Sequence, residues 1–287
     1  MMKKVVLWPN PSRDVGLQIS LAVARLCCEQ GVEAVIPCDL AGTLENTPLI
    51  RICSLEEALE NVDCLLALGG DGTILHLAKL AAMRGIPILG VNLGRLGFMS
   101  ELEADELPLL IEALRGLAVR DERMMLALTV RREGRIVFED LALNDVALIG
   151  GGQSRFLSLR VRADGQDMLS FSGDGVIIAT PTGSTAYSMA AGGPIIEPHA
   201  DSIAVTTICA HLTYAQSTVL SASRVVTLRV LSDKQAKLSV DGRTECPIDP
   251  NDEAVVTRSN RTVSLLRVKP YSFYDTLYRK LAAIQIK

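Results

Sequence analysis

The chain has 287 residues, of which 48% are hydrophobic and 22% are charged, so its composition is that of a globular protein and excludes a mainly disordered or fibrous one. Its formal charge of −4, without a dense cluster of lysine and arginine, argues against binding nucleic acid through the phosphate backbone. The length favours two domains of ordinary size over one very large domain.

The first part of the chain predicts alternating strands and helices. Apolar runs predict strands at Val5–Trp8, Val32–Ile36, Val62–Leu68 and Ile86–Val91. Between these runs, apolar residues recur at helical spacing, and Gly31 and Gly85 end two of the predicted helices. Alternating strands and helices indicate a parallel sheet, so we expect a Rossmann-like α/β domain over residues 1–120.

Beyond residue 120 the apolar spacing changes from the helical period to the strand period. Turn pairs such as Glu133-Gly134 and Asp164-Gly165 separate short β-type runs, which predicts hairpins in series. We therefore expect a mostly antiparallel, β-rich domain over residues 121–269. The last segment, 270–287, has apolar residues at helical spacing and predicts a terminal helix whose apolar partner the first domain can supply.

Cysteine usage and hydropathy indicate the compartment. The seven cysteines are odd in number and form no Cys-x-x-Cys pair, so neither a complete disulfide framework nor a zinc knuckle is expected. No segment resembles a signal peptide, and the uncharged stretches Gly175–Ile196 and Ser202–Ser223 are too rich in polar residues to be membrane spans. We expect a cytoplasmic protein, and its mean hydropathy of +0.28 is compatible with a buried subunit interface.

A glycine-rich motif, Gly69-Gly70-Asp71-Gly72-Thr73, follows a predicted buried strand and opens a predicted helix. Parallel sheets bind phosphate at such positions, because glycines let the backbone approach a polyanion and free amides point at it. Thr73 can support the helix start, and His76, one turn further on, can face the phosphates. Asp71 would be a metal ligand or a general base. The alternative is a plain turn in which Asp71 caps the helix.

Two known phosphate-binding patterns do not fit this motif. No Gly-Lys-Ser/Thr follows it, so it is not a Walker loop. Leu75 occupies the last position of the pattern Gly-x-Gly-x-x-Gly, which disfavours an ordinary dinucleotide-binding dehydrogenase.

Polar residues also stand out in the predicted β-rich domain. Asn144-Asp145 interrupts an apolar β pattern, so one of the two faces inward or into a cleft, unless they form a bulge or turn. Asp174 lies among glycines, and the segment Thr180–Pro194 is rich in small and hydroxyl residues that can hydrogen-bond a sugar or a heteroaromatic ring. Tyr187 within it can stack on a flat ring. The alternative is a small-residue helix packed closely on a sheet.

The combination of these motifs closely resembles the NAD kinase family of bacterial type. The motifs, in chain order, are Gly-Gly-Asp-Gly-Thr, Asn92-Leu93-Gly94-Arg95-Leu96-Gly97-Phe98, Asn144-Asp145, Asp174-Gly175 and Thr180-Pro181-Thr182-Gly183-Ser184-Thr185-Ala186-Tyr187. The first motif is shared with lipid kinases and phosphofructokinase-like enzymes, whereas the last is much more specific. The resemblance spans nearly the whole chain.

The resemblance implies transfer of the γ-phosphate of ATP, or of inorganic polyphosphate, to the 2′-hydroxyl of the adenosine ribose of NAD, which gives NADP. It implies Asp71 as the proton acceptor, a magnesium ion or another divalent cation, and an active site between the two domains. It also implies a homodimer or homotetramer. Residues implied to bind the substrates are Gly70, Gly72, Thr73, His76, Phe98 (against the adenine), Asn144, Asp145, Arg155, Asp174, Thr185, Ala186, Tyr187, Ser188, Ala190 and Arg243.

Two other functions remain open on the residues alone. A lipid or sugar kinase would share the first motif but would need an acyl-binding or sugar-binding set of residues. A non-enzymatic NAD sensor would have no use for the carboxylate of Asp71 beside phosphate. Ser172 stands where some relatives carry arginine, so the preference between NAD and NADH is undetermined.

Overall fold

The computed structural model describes residues 1–42, 47–94, 97–151, 156–211 and 216–285. The chain divides into two compact units: Met1–Glu122 with Val263–Lys287 forms the N-terminal unit, and Arg123–Thr262 forms the C-terminal unit. The first unit is an α/β structure with a parallel sheet and the second is mostly antiparallel β, which confirms the fold class that the sequence predicts.

The elements of the N-terminal unit alternate along the chain as the apolar periodicity predicts. They are β1 (Lys4–Pro9), α1 (Gln18–Glu29), β2 (Glu33–Pro37), α2 (Cys38–Ala41), β3 (Arg51–Cys53), α3 (Leu55–Ala58), β4 (Cys64–Gly69), α4 (Asp71–Arg84), β5 (Ile88–Asn92), β6 (Leu102–Glu103) and α5 (Leu110–Leu114). A 3-10 helix, Ala104–Leu109, continues directly into α5, and Pro108 lies inside the 3-10 part.

The parallel sheet of this unit has the strand order β3-β2-β1-β4-β5. The chain moves outward from β1 to β3 and then returns to place β4 on the other side of β1, with Pro9 opposite Leu68. This reversal leaves the carboxyl ends of β1 and β4 side by side, with connections that leave in opposite directions. Open α/β sheets bind their ligands at such a switch point.

Helices cover the sheet through apolar faces. Helix α1 buries Val23, Ala24 and Cys27, which are spaced by one and three residues and so share one face. Helix α4 buries Ile74, Leu77, Ala78, Ala81 and Ala82. At Gly90 in β5, an added Cβ would lie 2.6 Å from Cδ1 of Ile74, so α4 packs on the sheet at a distance that only glycine permits.

The C-terminal end of the chain is anchored to the N-terminal unit by a buried ion-pair cluster. The guanidinium of Arg267 lies 3.0 Å from Oδ2 of Asp121 and 3.2 Å from Oε2 of Glu101. The carboxylate of Glu101 also accepts hydrogen bonds from the backbone N–H groups of Val268 and Lys269. These bonds place the terminal helix after them in the same unit.

After α5, the described residues form twelve strands, two α-helices and a short 3-10 helix, Gly183–Thr185. They are β7 (Val119–Arg132), β8 (Arg135–Ala142), β9 (Asp145–Gly150), β10 (Leu157–Ala163), β11 (Gln166–Gly173), β12 (Gly175–Ala179), α6 (Tyr187–Ala190), β13 (Ser202–Ile208), β14 (Thr218–Ser221), β15 (Val226–Val230), β16 (Ala236–Val240), β17 (Thr244–Ile248), β18 (Glu253–Arg267) and the terminal helix α7 (Phe273–Gln285).

Antiparallel pairing dominates the C-terminal unit. One sheet has the order β14-β13-β12-β9-β16-β17, and each neighbouring pair in it is antiparallel. Strands β11, β10 and β15 pair antiparallel in a second sheet, and the amino-terminal part of β18 extends it. An apolar core formed by alternate residues of these strands, including Leu148, Val161 and Val176, supports both sheets.

All seven cysteines are free thiols. Burial raises the pKa of the Cys27 thiol to about 12 and also raises that of Cys64, so both remain protonated at neutral pH. No helix in the described part of the chain is long and apolar enough to cross a membrane.

Candidate active site

The glycine motif forms the junction between β4 and α4 at the switch point of the parallel sheet. Gly70 is the extended residue before the helix, and Asp71 is the first helical residue. The backbone N–H of Thr73 donates to the carbonyl of Gly70 at 2.8 Å, and its hydroxyl lies 3.4 Å from the N–H of Gly70. Thr73 therefore supports the helix start, as the sequence predicts.

The glycines of this motif serve different purposes. A Cβ added at Gly69 would lie 2.1 Å from the hydroxyl oxygen of Thr73, so packing within the protein requires glycine there. Among the described residues, a Cβ at Gly70 would meet only Oδ1 of Asn92, at 3.8 Å, and one at Gly72 would meet no atom within 4 Å. Neither of these two has a positive φ, so neither their backbone conformation nor the packing of the described residues requires glycine there.

A cavity of about 280 Å³ opens beside this junction. Its described lining consists of the motif itself together with Asn10, Arg13, Asn92 and Gly94. The first turn of α4 leaves backbone N–H groups without helical partners, and these groups favour an anion in front of them. The geometry of the cavity suits a phosphate chain.

The carboxylate of Asp71 is held by the backbone of the segment that follows β5. Its Oδ2 accepts a hydrogen bond from the N–H of Phe98 at 2.7 Å, and its Oδ1 accepts one from the N–H of Met99 at 3.1 Å. A Cβ added at Gly97 would lie 2.0 Å from Oδ1, so the glycine at position 97 is needed for the carboxylate to approach this backbone. Asp71 is thus oriented rather than free to rotate.

Phe98 is buried beneath the terminal helix α7. The centre of its ring lies 6.2 Å from that of Phe273, and the ammonium nitrogen of Lys280 lies 4.1 Å from it. Burial lowers the pKa of Lys280, and the negative charge of Asp71 opposes this effect. The aromatic ring that the family resemblance assigns to adenine is therefore in contact with the protein's own helix.

His76 is exposed on α4, and its ring lies 5.6 Å from that of Trp8. The structure places it one turn along the helix from Asp71, outside the described lining of the cavity. Arg95 and Leu96, which belong to the second motif, lie outside the described residues.

In the C-terminal unit, Asn144 and Asp145 stand where β9 begins. The carbonyl of Asn144 accepts a hydrogen bond from the N–H of Thr180 at 2.8 Å, and the hydroxyl of Thr180 donates to the carbonyl of Leu143 at 2.6 Å. A Cβ added at Gly183 would lie 2.0 Å from the oxygen of Asn144. The two sequence motifs, nearly forty residues apart, are therefore packed against each other through their backbones.

Asp241 holds the backbone at Asn144 and Asp145 in place. No sequence pattern singles out this residue. Its carboxylate accepts hydrogen bonds from the backbone N–H groups of Leu143, Asn144 and Asp145 at 2.8, 2.7 and 3.0 Å. Burial and, to a smaller extent, the nearby charge of Asp241 together raise the pKa of Asp145 to about 7. The pKa of Asp241 is also raised by burial, against the effect of its three backbone hydrogen bonds.

The side chain of Asn144 is buried with an unfilled hydrogen-bonding position. Its Oδ1 has no hydrogen-bond partner among the described residues, although the residue is only 8% exposed. Buried amide oxygens in proteins are normally paired, because an unpaired one costs about 1–3 kcal/mol. A bound group with an N–H or O–H donor would satisfy it.

A second cavity, of about 460 Å³, brings Asp174 and Tyr187 together. Tyr187 is the first residue of α6 and is 43% exposed, so its ring is available to stack on a ligand. Lys237 also lines this cavity, where its ammonium lies 2.5 Å from Oε1 of Glu245. No sequence pattern singles out Lys237, because an isolated lysine in a strand is common on protein surfaces.

The other residues predicted for substrate binding differ in their access to solvent. Ser188 is fully buried, and its hydroxyl lies 2.9 Å from that of Thr206, so its side chain supports α6 from within. Thr185 and Ala186 are half-buried, whereas Ala190 and Arg243 are exposed. Arg155 lies outside the described residues.

Two family models match the chain: the ATP-NAD kinase N-terminal domain over residues 18–116 and the ATP-NAD kinase C-terminal domain over residues 143–268. The chain is 37% identical to an NAD kinase of Caldanaerobacter subterraneus subsp. tengcongensis over 98% of this chain and 99% of that protein. It is 35% identical to an NAD kinase of Acetivibrio thermocellus over 98% of this chain and 97% of that protein.

Solved structures agree with the sequence comparisons. Yeast NADH kinase complexed with NADH has a TM-score of 0.87 and 26% identity, with 98% of this chain and 88% of that chain covered. An NAD kinase from Archaeoglobus fulgidus in complex with ATP has a TM-score of 0.72 at 22% identity, with 98% and 99% covered, and shows the shared fold.

Proposed function

The chain belongs to the NAD kinase family, and from this premise we propose that it transfers the γ-phosphate of ATP to the 2′-hydroxyl of the adenosine ribose of NAD, which yields NADP. One observation carries the proposal. The backbone N–H groups of Phe98 and Met99 fix the carboxylate of Asp71, which stands between Gly70 and Gly72. Among the described residues, only Oδ1 of Asn92 approaches the open side of Gly70, at 3.8 Å, and none approaches that of Gly72 within 4 Å. Such a site combines a base with room for a phosphate chain.

The roles of the residues follow from the chemistry of phosphoryl transfer. This reaction depends on positioning and charge stabilisation more than on covalent catalysis. The backbone amides at the start of α4 bind the donor phosphates, and Asp71 accepts the proton of the ribose hydroxyl as the phosphorus approaches it. Each carboxylate oxygen can accept more than one hydrogen bond, so the bonds from Phe98 and Met99 leave capacity for that hydroxyl.

NAD binding is assigned to the C-terminal unit. The unpaired Oδ1 of Asn144 suits the exocyclic amino group of adenine, and Asp145 beside it suits a ribose hydroxyl. Asp174 and Tyr187 share a cavity large enough for part of a dinucleotide. These assignments agree with the roles that the family resemblance implies for the same residues.

We also propose that the reaction uses a magnesium ion. The described residues contain no group of three or more His, Cys, Asp or Glu side chains that could hold a metal. Magnesium is commonly held by one or two carboxylates together with substrate phosphates, and Asp71, Asn10 and Asn92 offer oxygen atoms in the cavity. When bound with the donor, the ion supplies neutralisation of the phosphate charge.

We further propose that the protein is cytoplasmic and forms a homodimer or homotetramer. The free thiols favour a reducing compartment. Exposed apolar side chains such as Leu117, Val119 and Leu231 provide surface that association could bury. Light scattering of the purified protein measures the assembly, and a single-chain mass would contradict this part of the proposal.

The decisive experiment incubates the purified protein with NAD, ATP and magnesium and detects NADP with an NADP-specific dehydrogenase. We expect NADP to form, and parallel reactions with polyphosphate and with NADH measure the choice of donor and acceptor. Tight binding of NAD without any NADP would contradict the proposal and favour a sensor. Phosphate transfer to a lipid or sugar but not to NAD would favour another kinase.

A further inference from the structure

The loop after β1 places one arginine beside the glycine motif. Arg13 lines the same cavity as Gly69–Thr73, and it is the only cationic side chain in the part of that lining which the structure describes. The loop lies at the carboxyl end of β1, next to β4, so Arg13 and the motif stand on the two sides of the switch point. Open α/β sheets bind their ligands at this switch point.

The backbone of this loop is held at both ends. The N–H of Asn10 donates to the carbonyl of Leu68 at 2.8 Å, and the carbonyl of Asn10 accepts the N–H groups of Arg13 and Asp14 at 2.9 Å each. Asp14 is 2% exposed, and its carboxylate accepts the N–H groups of Ile19 and Ser20 at the start of α1. Arg13 therefore projects from a rigid support and not from a loose connection.

Gly94 gives the guanidinium its place in the cavity. A Cβ added at Gly94 would lie 2.8 Å from Nη1 and 3.1 Å from Cζ of Arg13. Any other residue at position 94 would displace the guanidinium, although Gly94 does not have a positive φ that would itself require glycine. The guanidinium therefore lies directly against the backbone of Gly94 in the lining of the cavity.

A cationic side chain beside the proposed magnesium ion would add to the neutralisation of the donor phosphates. The motif lacks the lysine that follows the glycines in a Walker loop, and Asp71 adds a negative charge beside the donor phosphates. An arginine guanidinium binds phosphate oxygens through two parallel hydrogen bonds and keeps its charge at any physiological pH. Arg13 is exposed, and no ion-pair partner for it is found among the described residues, so its donors are available to a ligand.

We propose that Arg13 binds the terminal phosphate groups of the phosphoryl donor and holds the transferred group against the glycine motif. This inference rests on the proposed function, because it takes the motif as the donor phosphate site. It adds a donor-binding residue from a different strand end, one that none of the sequence motifs contains.

The test compares Arg13→Met with Arg13→Lys and with the control Arg25→Met, which removes the same charge from an exposed position on α1. We expect Arg13→Met to raise the KM for ATP about 10- to 100-fold and to leave the KM for NAD within about 2-fold, because the variant loses charge-assisted hydrogen bonds to the donor phosphates but no contact with NAD. Arg13→Lys keeps the charge but loses the two-point contact, so its KM for ATP should be intermediate. The Arg25→Met enzyme should match the wild type.

A binding measurement separates this inference from the proposed function. Calorimetry with ATP and with adenosine, in the absence of NAD, should show weaker ATP binding to Arg13→Met and unchanged adenosine binding. An ATP affinity equal to that of Arg25→Met, or an equal loss for adenosine, would overturn the role of Arg13. A wild-type protein that binds ATP through Arg13 but makes no NADP would refute the proposed function and leave this inference standing. If Arg13→Met fails to fold, the same ATP and adenosine titrations of Arg13→Lys test the role of Arg13 instead.

Discussion

The ammonium nitrogen of Lys280 lies 4.1 Å from the centre of the Phe98 ring, so the terminal helix α7 places a cation over the face of an aromatic residue next to Asp71. A cation in this position is attracted by the electrons of the ring. Phe273 packs on the same ring from the start of the helix. Phe98 therefore connects the helix to the segment whose backbone holds Asp71.

Replacing Lys280 with methionine should lower the free energy of unfolding by about 0.5–1 kcal/mol, the usual value of a partly exposed cation–π contact. Methionine retains the apolar stem, so the change isolates the ammonium. Urea unfolding measures the loss. The neighbouring variant Arg279→Met removes an exposed charge from the same helix and should lose less, and equal losses would contradict a specific contact with Phe98.

Asp71→Asn should lower kcat by about 10²–10⁴, the usual contribution of a positioned general base, and leave NAD binding nearly intact. Single-turnover kinetics and NAD titration measure the two effects separately. Ser100→Ala serves as the control, because the Ser100 hydroxyl lies 3.5 Å from the Asp71 carboxylate and its loss disturbs the same segment. An Asp71→Asn enzyme that kept most of the wild-type turnover would show that Asp71 does not act as the base.

Two glycine substitutions should separate stability from activity. Gly183→Ala puts a methyl group 2.0 Å from the carbonyl oxygen of Asn144, so we expect a destabilisation of about 1–3 kcal/mol. The methyl group of Gly72→Ala lies in a helix and meets no atom of the described residues within 4 Å, so the stability of this variant should equal or exceed that of the wild type. Its kcat/KM for ATP should nevertheless fall at least about 10-fold, the effect of about 1.4 kcal/mol. Thermal unfolding and steady-state kinetics of both variants check this, and a fully active Gly72→Ala enzyme would show that no phosphate approaches there.

Asp145 should make the protein less stable as the pH rises. Its pKa is about 7 in the folded protein against an ordinary value of 3.8, so the folded state binds more protons than the unfolded state between these values. Stability is therefore lost progressively from about pH 4 to about pH 7 and is constant above that range. Relative to the wild type, Asp145→Asn should gain stability across this window.

Urea unfolding at several pH values between 5 and 8 measures this difference. The control Asp233→Asn changes an exposed aspartate of the same unit and should show a constant difference from the wild type. A constant difference for Asp145→Asn as well would mean that Asp145 is ionised in the folded protein throughout the range.

Tyr187→Ala should weaken NAD binding about 10-fold or more, because stacking on an aromatic ring contributes about 1–3 kcal/mol per base. ATP binding should change little. Tyr187→Phe keeps the ring and should remain close to the wild type. Equivalent losses for both nucleotides in the alanine variant would contradict the assignment of Tyr187 to the NAD site.

Much of the fold was accessible from the sequence, because the apolar periodicity of strands such as β4 and helices such as α4 is local. The change from α/β to antiparallel β structure and the family resemblance are both confirmed. The glycine motif and Asn144-Asp145 were found because each contradicts the apolar pattern around it. The roles of the individual site residues stay predictions.

The supporting residues could not be found in the same way. Asp241 acts on Asn144 across 97 positions of the chain, and an aspartate followed by glycine in a hairpin looks like an ordinary turn. Arg13 and Lys280 are single charges in polar surroundings, and only the strand order and the packing of α7 bring them to the glycine motif. The separate purposes of Gly69, Gly72 and Gly97 likewise depend on neighbours that are distant in sequence.

The buried thiols of the N-terminal unit provide a reporter of its opening. Thiol alkylation requires the thiolate, and both burial and a raised pKa suppress it at Cys27 and Cys64. Exposed Cys28, the neighbour of Cys27 on α1, reacts without any opening. The rate at which an alkylating reagent modifies Cys27, compared with Cys28 in the same peptide, therefore measures how often this part of the sheet and helix layer separates in solution.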